Sequence, residues 1–187
     1  MDESTLIQLA SQHNEQACEA LVFEHQQAVF RLAYLFTGDP DEAEDVTQES
    51  FIRAFRFLDK FDPERSFRPW VLSIAANLAR NRLRSFKRYL SILKGAARRE
   101  QERASIDPSQ PTPAADAQEL WRTVRKMSLE DQQVIYLRYF LELSEEETSA
   151  ALQIPEGTAK SRLHRALSRL RARLEPERTD AVKGGNP

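Results

Sequence analysis

Three prolines within six positions, Pro108, Pro111 and Pro113, interrupt the chain near its middle and favour an extended backbone there. On either side of them apolar residues recur at helical spacing, so the chain divides into two helical stretches. At 187 residues it has room for two small domains, each with a modest core. Only five glycines occur, and no run alternates β-branched with polar residues as a strand would. Leu, Ala, Glu, Arg and Gln dominate instead, which predicts an all-α protein.

Chemistry is constrained by what is scarce. A single cysteine, Cys18, excludes an internal disulfide, and three scattered histidines (His13, His25, His164) beside one thiol do not form a usual structural zinc site. Cys18 reads as a small buried apolar residue. The first residues, MDESTLIQLASQ, lack the basic start and apolar centre of a signal peptide, and no apolar run approaches the roughly 20 residues of a membrane span. The expectation is a protein of the reducing cytoplasm, with no membrane insertion.

The formal net charge of -2 conceals a pattern. Residues 1–63 hold 4 Lys and Arg against 13 Asp and Glu, a balance of -9, and residues 64–106 hold 11 against 3, a balance of +8. The second half repeats the order, with 4 against 9 (-5) over 107–155 and 8 against 4 (+4) over 156–187. Such alternation suits two halves that each carry an acidic part for protein and a basic part for phosphate.

The first strong helix is predicted from Glu15 to Phe36, with Ala17, Leu21, Ala28, Leu32 and Phe36 on one face. Thr37-Gly38 ends it. Asp39 then caps a helix that starts at Pro40, where Asp41 and Glu42 favour the positive end of the dipole. Its apolar stripe is Ala43, Val46, Thr47, Ser50, Phe51, Ala54, Phe55 and Leu58, which leaves Glu42, Glu44, Asp45, Gln48, Glu49, Arg53 and Arg56 outside. Residues 61–67 read as a loop with two aromatics, Phe61 and Phe67, and a capping Ser66. A further helix runs from Arg68 to Tyr89, apolar along Trp70, Val71, Ile74, Ala75, Leu78 and Leu83. Asn77, Arg80, Asn81, Arg82, Arg84, Lys87 and Arg88 cover the rest. Amide and cationic groups so mixed suit phosphate and base edges, although a solvated basic face would look the same in isolation.

Beyond the prolines, Gln118 to Lys126 begins a helix, and Ser128 caps another with Val134, Ile135, Leu137 and Leu141 on its apolar side. Ser144 with Glu147 three residues later is a capping box, opening a short helix that ends near Leu152. Gln153-Ile154-Pro155 turns the chain into a longer basic helix from Glu156 to about Leu174. Short helix, tight turn and basic helix describe a helix-turn-helix, whose second helix enters the major groove by its first residues. Those are Glu156, Gly157, Thr158, Lys160, Ser161, Arg162 and Arg165, with Ala159, Leu163, Ala166, Leu167 and Leu170 facing the protein. The three cations suit phosphates or guanine, and the small residues permit close approach. A helical hairpin without DNA remains an alternative on this pattern alone.

Residues 154–166, Ile-Pro-Glu-Gly-Thr-Ala-Lys-Ser-Arg-Leu-His-Arg-Ala, resemble the end of region 4 of extracytoplasmic-function sigma factors, the smallest class of the sigma-70 family. In the other half, residues 42–55 resemble region 2.2 and residues 67–77 resemble region 2.4 of the same family. The resemblance implies a region 2 domain over 15–90, a flexible linker over 91–117, a region 4 domain over 118–174 and a tail over 175–187. There are departures: Thr47 stands where an aliphatic residue is usual, Thr148 and Ser149 replace an apolar pair, and Gln132 occupies a position where arginine is common.

By resemblance, Asp45, Gln48, Glu49 and Arg53 dock on the clamp helices of the RNA polymerase largest subunit, their acidic and amide groups suiting a basic partner. Asp62, Arg65, Ser66 and Phe67 of the loop, with Asn77, Arg80, Asn81 and Arg84 of the following helix, hold the opened minus-ten element, one non-template base being flipped into a pocket. Trp70 reads as core. The residues from Glu156 to Arg165 named above read the minus-thirty-five element, and the family further implies an anti-sigma factor. A helix-turn-helix repressor is the main rival, but it has no need of an acidic docking helix and is usually dimeric on a palindrome. A magnesium nuclease built on Asp39, Asp41, Glu42, Glu44 and Asp45 is a weaker one, because those carboxylates scatter around one helix start. No nucleophile and base pair or phosphate loop suggests catalysis, and nothing calls for a cofactor or metal.

Overall fold

The computed structural model describes residues 2–62, 65–96 and 115–183, with the backbone alone described at 86, 87, 89–96, 115–118 and 175–183. Every regular element among them is helical. The chain forms two compact units, Met1–Ser105 and Ile106–Pro187.

The first unit holds α1 (Glu3–Ser11), α2 (Glu15–Thr37), α3 (Pro40–Arg56), a 3₁₀ turn (Leu58–Lys60) and α4 (Phe67–Ala96). Local chemistry sets the boundaries. Asn14 accepts from the Ala17 amide at 2.9 Å to start α2. Gly38 ends it in the left-handed region at φ 70°, a conformation that glycine adopts without steric cost. One residue on, Asp39 accepts from the Glu42 amide at 2.9 Å with Pro40 at the first helical position, as the sequence predicts. A cap of this kind contributes about 1 kcal/mol.

The helices pack on Leu21, Val29, Leu32 and Phe36 from α2, Val46 and Ala54 from α3, and Val71, Leu72, Ala75 and Ala79 from α4. Each fully buried Leu, Val or Phe contributes about 1.5–3 kcal/mol, so this junction carries the unit. The stripe foreseen on α2 is corrected in one place: Ala28 is half-buried, and His25 and Val29 are buried instead. Helix α1, which the sequence reading did not foresee, adds Ile7 and Ala10 to the core. Cys18 is half-buried rather than buried, and loss of water around the thiol is the main cause that raises its pKa, with Glu15 adding to it.

Helix α4 begins one residue earlier than expected and continues past Tyr89 to Ala96. The second unit opens at α5 (Ala115–Arg125). The two ends of the expected linker, 91–96 and 115–117, are therefore helical; its remainder, including the three prolines, lies outside the described residues.

After α5 come α6 (Leu129–Ile135), a π-helical turn (Tyr136–Phe140), α7 (Glu145–Leu152) and α8 (Glu156–Lys183). Ser128 accepts from the Asp131 amide, and Ser144 and Glu147 form the foreseen capping box, with contacts of 2.8 and 3.0 Å. Val134, Ile135, Leu137, Leu141 and Leu143 are buried. Trp121, Tyr136 and Phe140 form an aromatic cluster beside them. Gln132, at the position where the family commonly has arginine, is buried and fully used. Its amide donates to the carbonyls of Arg125 and Met127 at 3.0 and 2.9 Å, and its oxygen accepts from the Tyr136 hydroxyl at 3.3 Å. The tail expected from 175 is helical as far as Lys183.

Candidate nucleic-acid and protein interfaces

On α3, Asp45, Gln48 and Arg53 are exposed and Glu49 is half-exposed, so the four residues singled out for protein contact lie along one accessible side. Glu49 pairs with Arg53 one turn on at 2.7 Å, and Gln48 donates to Glu44 at 3.4 Å. Beside them α2 and α3 bound an open groove, where Phe23 and Phe30 meet Thr47, Gln48 and Phe51. Phe23 is 81% exposed, far more than its neighbours on α2 require, and the sequence reading missed it. The signal was present in Phe23 and Phe30, seven residues apart on the side of α2 away from Leu21 and Leu32.

Asp45 is not independent of the second surface. Arg82 of α4 reaches across to α3, with Nη1 2.9 Å from Glu42 Oε2 and 3.3 Å from Asp45 Oδ2.

On α4, Asn77, Asn81 and Arg84 are exposed at spacings of four and three, forming a stripe of amide and cation. Arg80 is half-buried and off this stripe. In the preceding loop Asp62, Arg65 and Ser66 are exposed, and the loop is drawn tight by Arg65, whose amide donates to the Asp62 carbonyl at 3.0 Å and whose guanidinium lies 3.5 Å from the Asp62 carboxylate.

Phe67 departs from the expectation. Its side chain is fully buried, 6.1 Å from Phe61, 5.6 Å from Trp70 and 5.3 Å from His25 between ring centroids. Four rings meeting in tilted and edge-to-face contacts remove more apolar surface from water than an exposed loop position would, so Phe67 anchors the loop and does not face a strand. Trp70 shares that cluster but is half-buried rather than fully core. The Phe67 amide, at the first position of α4, donates to Glu3 of α1 at 3.1 Å. The other Glu3 oxygen lies 3.2 Å from Nε2 of buried His25. Burial pushes the His25 pKa down, against the opposing pull of Glu24 and Glu3. Glu3 thus ties α1, α2 and the start of α4 together, a connection hidden from a reading of local pattern because its partners lie 22 and 64 residues away.

In the second unit, Gln153 turns the chain between α7 and α8 at φ 56°, and the Ile154 amide returns to the Ser149 carbonyl at 3.1 Å. Glu156, Gly157, Thr158, Lys160, Ser161 and Arg165 are exposed on the first turns of α8; Arg162 is half-buried. Ala159, Ala166 and Leu170 are buried against the unit, while Leu163 and Leu167 are half-buried. Lys160 lies 3.9 Å from Glu145 of α7. A Cβ placed on Gly157 would meet nothing within 4 Å among the described residues. Packing among those residues therefore does not require glycine there.

These elements make two helical units, one with an acidic helix beside a helix of amides and cations, the other with a short helix, a tight turn and a long helix whose first turns are exposed. The description "Sigma-70 region 2" matches residues 21–89, and "Sigma-70, region 4" matches residues 117–170. The chain is 34% identical over 169 residues to the ECF RNA polymerase sigma factor SigW of Bacillus subtilis, covering 86% of this chain and 90% of that one. It is 32% identical over 157 residues to the ECF sigma factor SigL of Mycobacterium tuberculosis, covering 83% and 88%. Among solved structures, CnrH in complex with the cytosolic domain of CnrY is similar with a TM-score of 0.68 at 26% identity, over 93% of this chain and 97% of that one; CnrH is a sigma factor of Cupriavidus metallidurans. The chain belongs to the extracytoplasmic-function sigma factors of the sigma-70 family, and directs transcription initiation by RNA polymerase. Among the described residues no helix is long and apolar enough to cross a membrane.

Proposed function

We propose that the protein works in the cytoplasm as a non-catalytic specificity subunit, whose first unit binds core polymerase and the opened minus-ten element and whose second unit binds the minus-thirty-five element as duplex. The observation that carries this reading is the separation of charge within the first unit. Glu42, Asp45 and Glu49 lie on α3, whereas Asn77, Asn81 and Arg84 lie on α4. An acidic helix suits a basic protein surface, and an amide and cation stripe suits a nucleic-acid strand.

In the proposed order of events, Asp45, Gln48, Glu49 and Arg53 meet the clamp helices of the polymerase. The α4 stripe then takes the phosphates and base edges of the separated non-template strand, and the loop of Asp62, Arg65 and Ser66 borders the pocket for a flipped base. Phe67 serves beneath that loop as its anchor. Unstacking a base costs a few kcal/mol, which contacts to its freed edge and face offset. In the second unit Lys160, Arg162 and Arg165 contact phosphate or guanine, and Gly157, Thr158 and Ser161 allow the helix close to the groove. An anti-sigma factor is the proposed regulator: the solved structure of CnrH holds it together with the cytosolic domain of CnrY, and the groove of Phe23 and Phe30 gives this chain an exposed apolar surface for such a partner.

The test is footprinting on a promoter fragment with core polymerase present. The reading requires co-elution with core on gel filtration and protection of two upstream segments, neither protected by core alone. Protection of a single palindrome by a dimer without core would support a repressor instead.

A further inference from the structure

The cleft between α3 and α4 brings the two proposed surfaces of the first unit together. Glu49 and Arg53 line one wall, and Leu78, Asn81, Arg82 and Ser85 the other. Across the end of this cleft Arg82 holds Glu42 and Asp45 at once, through a single nitrogen, at 2.9 and 3.3 Å. Asp45 belongs to the surface assigned to polymerase. Arg82 is the direct neighbour of Asn81 on the helix assigned to DNA, and lies outside the residues assigned above to the minus-ten strand or to polymerase. Its side chain is 36% exposed and the two carboxylates are 55% and 65% exposed, so a partner approaching α3 reaches the acids without moving the helices.

We propose that Arg82 is a DNA-strand contact held in reserve. In the free protein Glu42 and Asp45 occupy it. A basic surface of polymerase that takes those carboxylates releases the guanidinium, which then neutralises a phosphate of the separated strand beside Asn81. An exposed ion pair of this kind contributes at most about 1 kcal/mol and is screened by salt, so the exchange is reversible and is worth up to about fivefold in strand affinity. Because coupling is reciprocal, the strand tightens polymerase binding through the same residue. The inference rests on the polymerase and strand surfaces proposed above.

A double-mutant cycle in the full-length chain tests it, using Glu42→Gln, Arg82→Gln and the pair together. Glu42 is one of the two carboxylates that polymerase is proposed to take, so the affinity of each variant for core is measured beside its strand affinity. The probe is a labelled oligodeoxythymidine followed by fluorescence anisotropy, first with protein alone and then with core polymerase added. Glu42→Gln alone should tighten strand binding by the free protein about two- to fivefold. That gain should vanish in the Arg82→Gln background and in the complex with core, where Arg82→Gln should bind several-fold more weakly than wild type. A gain that persists without Arg82 would reflect only the removal of a negative charge and would overturn the proposal, as would equal binding by wild type and Arg82→Gln in the complex. Co-elution with core, measured on the same samples, separates the two levels. If wild type binds core and the cycle shows no coupling, the inference alone fails; if wild type does not bind core, the underlying reading fails with it.

Discussion

Arg169 of α8 grips Asp131 of α6 with both arms of its guanidinium, Nε lying 2.9 Å from Oδ2 and Nη2 bonding to Oδ1. The Asp131 side chain is only 6% exposed, and Arg173 adds a bond to the Lys126 carbonyl one turn further on. The pair fixes the long helix whose opening turns carry Lys160 and Arg165. Arg169→Ala leaves a buried carboxylate without its cation and should lower the melting temperature of the second unit. It should also weaken binding to a minus-thirty-five duplex, although Arg169 lies about one turn beyond Arg165, the last residue proposed to touch DNA. Unchanged melting would show that the contact does not hold α8.

Thr148 presents the opposite case. It is buried in α7, and its hydroxyl has no hydrogen-bond partner among the described residues. Replacing that hydroxyl by a methyl of similar shape removes an unsatisfied polar atom, so Thr148→Val should stabilise the chain by about 1 kcal/mol in urea unfolding. A loss of stability would mean that the hydroxyl is satisfied in solution.

Gly157 distinguishes a DNA surface from a solvated helix end. With open space around its Cα, Gly157→Ala should leave the fold intact and stabilise α8 by up to about 1 kcal/mol. If duplex DNA lies against this turn, the added methyl should still reduce minus-thirty-five binding. Equal DNA affinity would place the groove elsewhere on the helix.

His25 gives the first unit a sensitivity to acid. It is 4% exposed, faced by Glu3 and Glu24 with Arg68 nearby, and burial holds its pKa below the ordinary 6.5. Between the lowered value and 6.5 the unfolded chain binds more protons than the folded one, so stability rises with pH across that window. Its contribution is complete above 6.5 and is lost progressively as pH falls below it. Melting temperature should therefore drop from about pH 7.5 to about pH 5.5 in wild type, and drop less in His25→Gln. Parallel slopes in the two proteins would assign the acid sensitivity to other groups.

The parts of this fold legible in the sequence are those determined over a few residues. Asp39-Pro40 announces the start of α3, and Ser144 with Glu147 announces α7, because a cap and its amide lie within one turn. Apolar spacing likewise located α2 and the buried side of α8. The parts that were not legible depend on distant partners. Helix α1 is held by contacts from Glu3 to His25 and to the Phe67 amide, and no short window contains both ends of either contact. Phe67 looked like a loop aromatic available to DNA because the rings that enclose it come from Phe61, Trp70 and a helix forty residues earlier. The positions of Asn77, Asn81 and Arg84 on one stripe followed from helical period, whereas the bridge from Arg82 to Glu42 and Asp45 required the packing of α3 on α4. Gln132 looked like a lost arginine and is a satisfied buried amide.

The most direct test of the central claim is run-off transcription with purified core polymerase, with and without this protein, on sheared DNA from the source genome, followed by sequencing of transcript starts. New starts should appear only with the protein and share two upstream motifs, and they should be lost when Lys160 and Arg165 are both changed to alanine. No new starts, together with no binding to core polymerase, would contradict the claim.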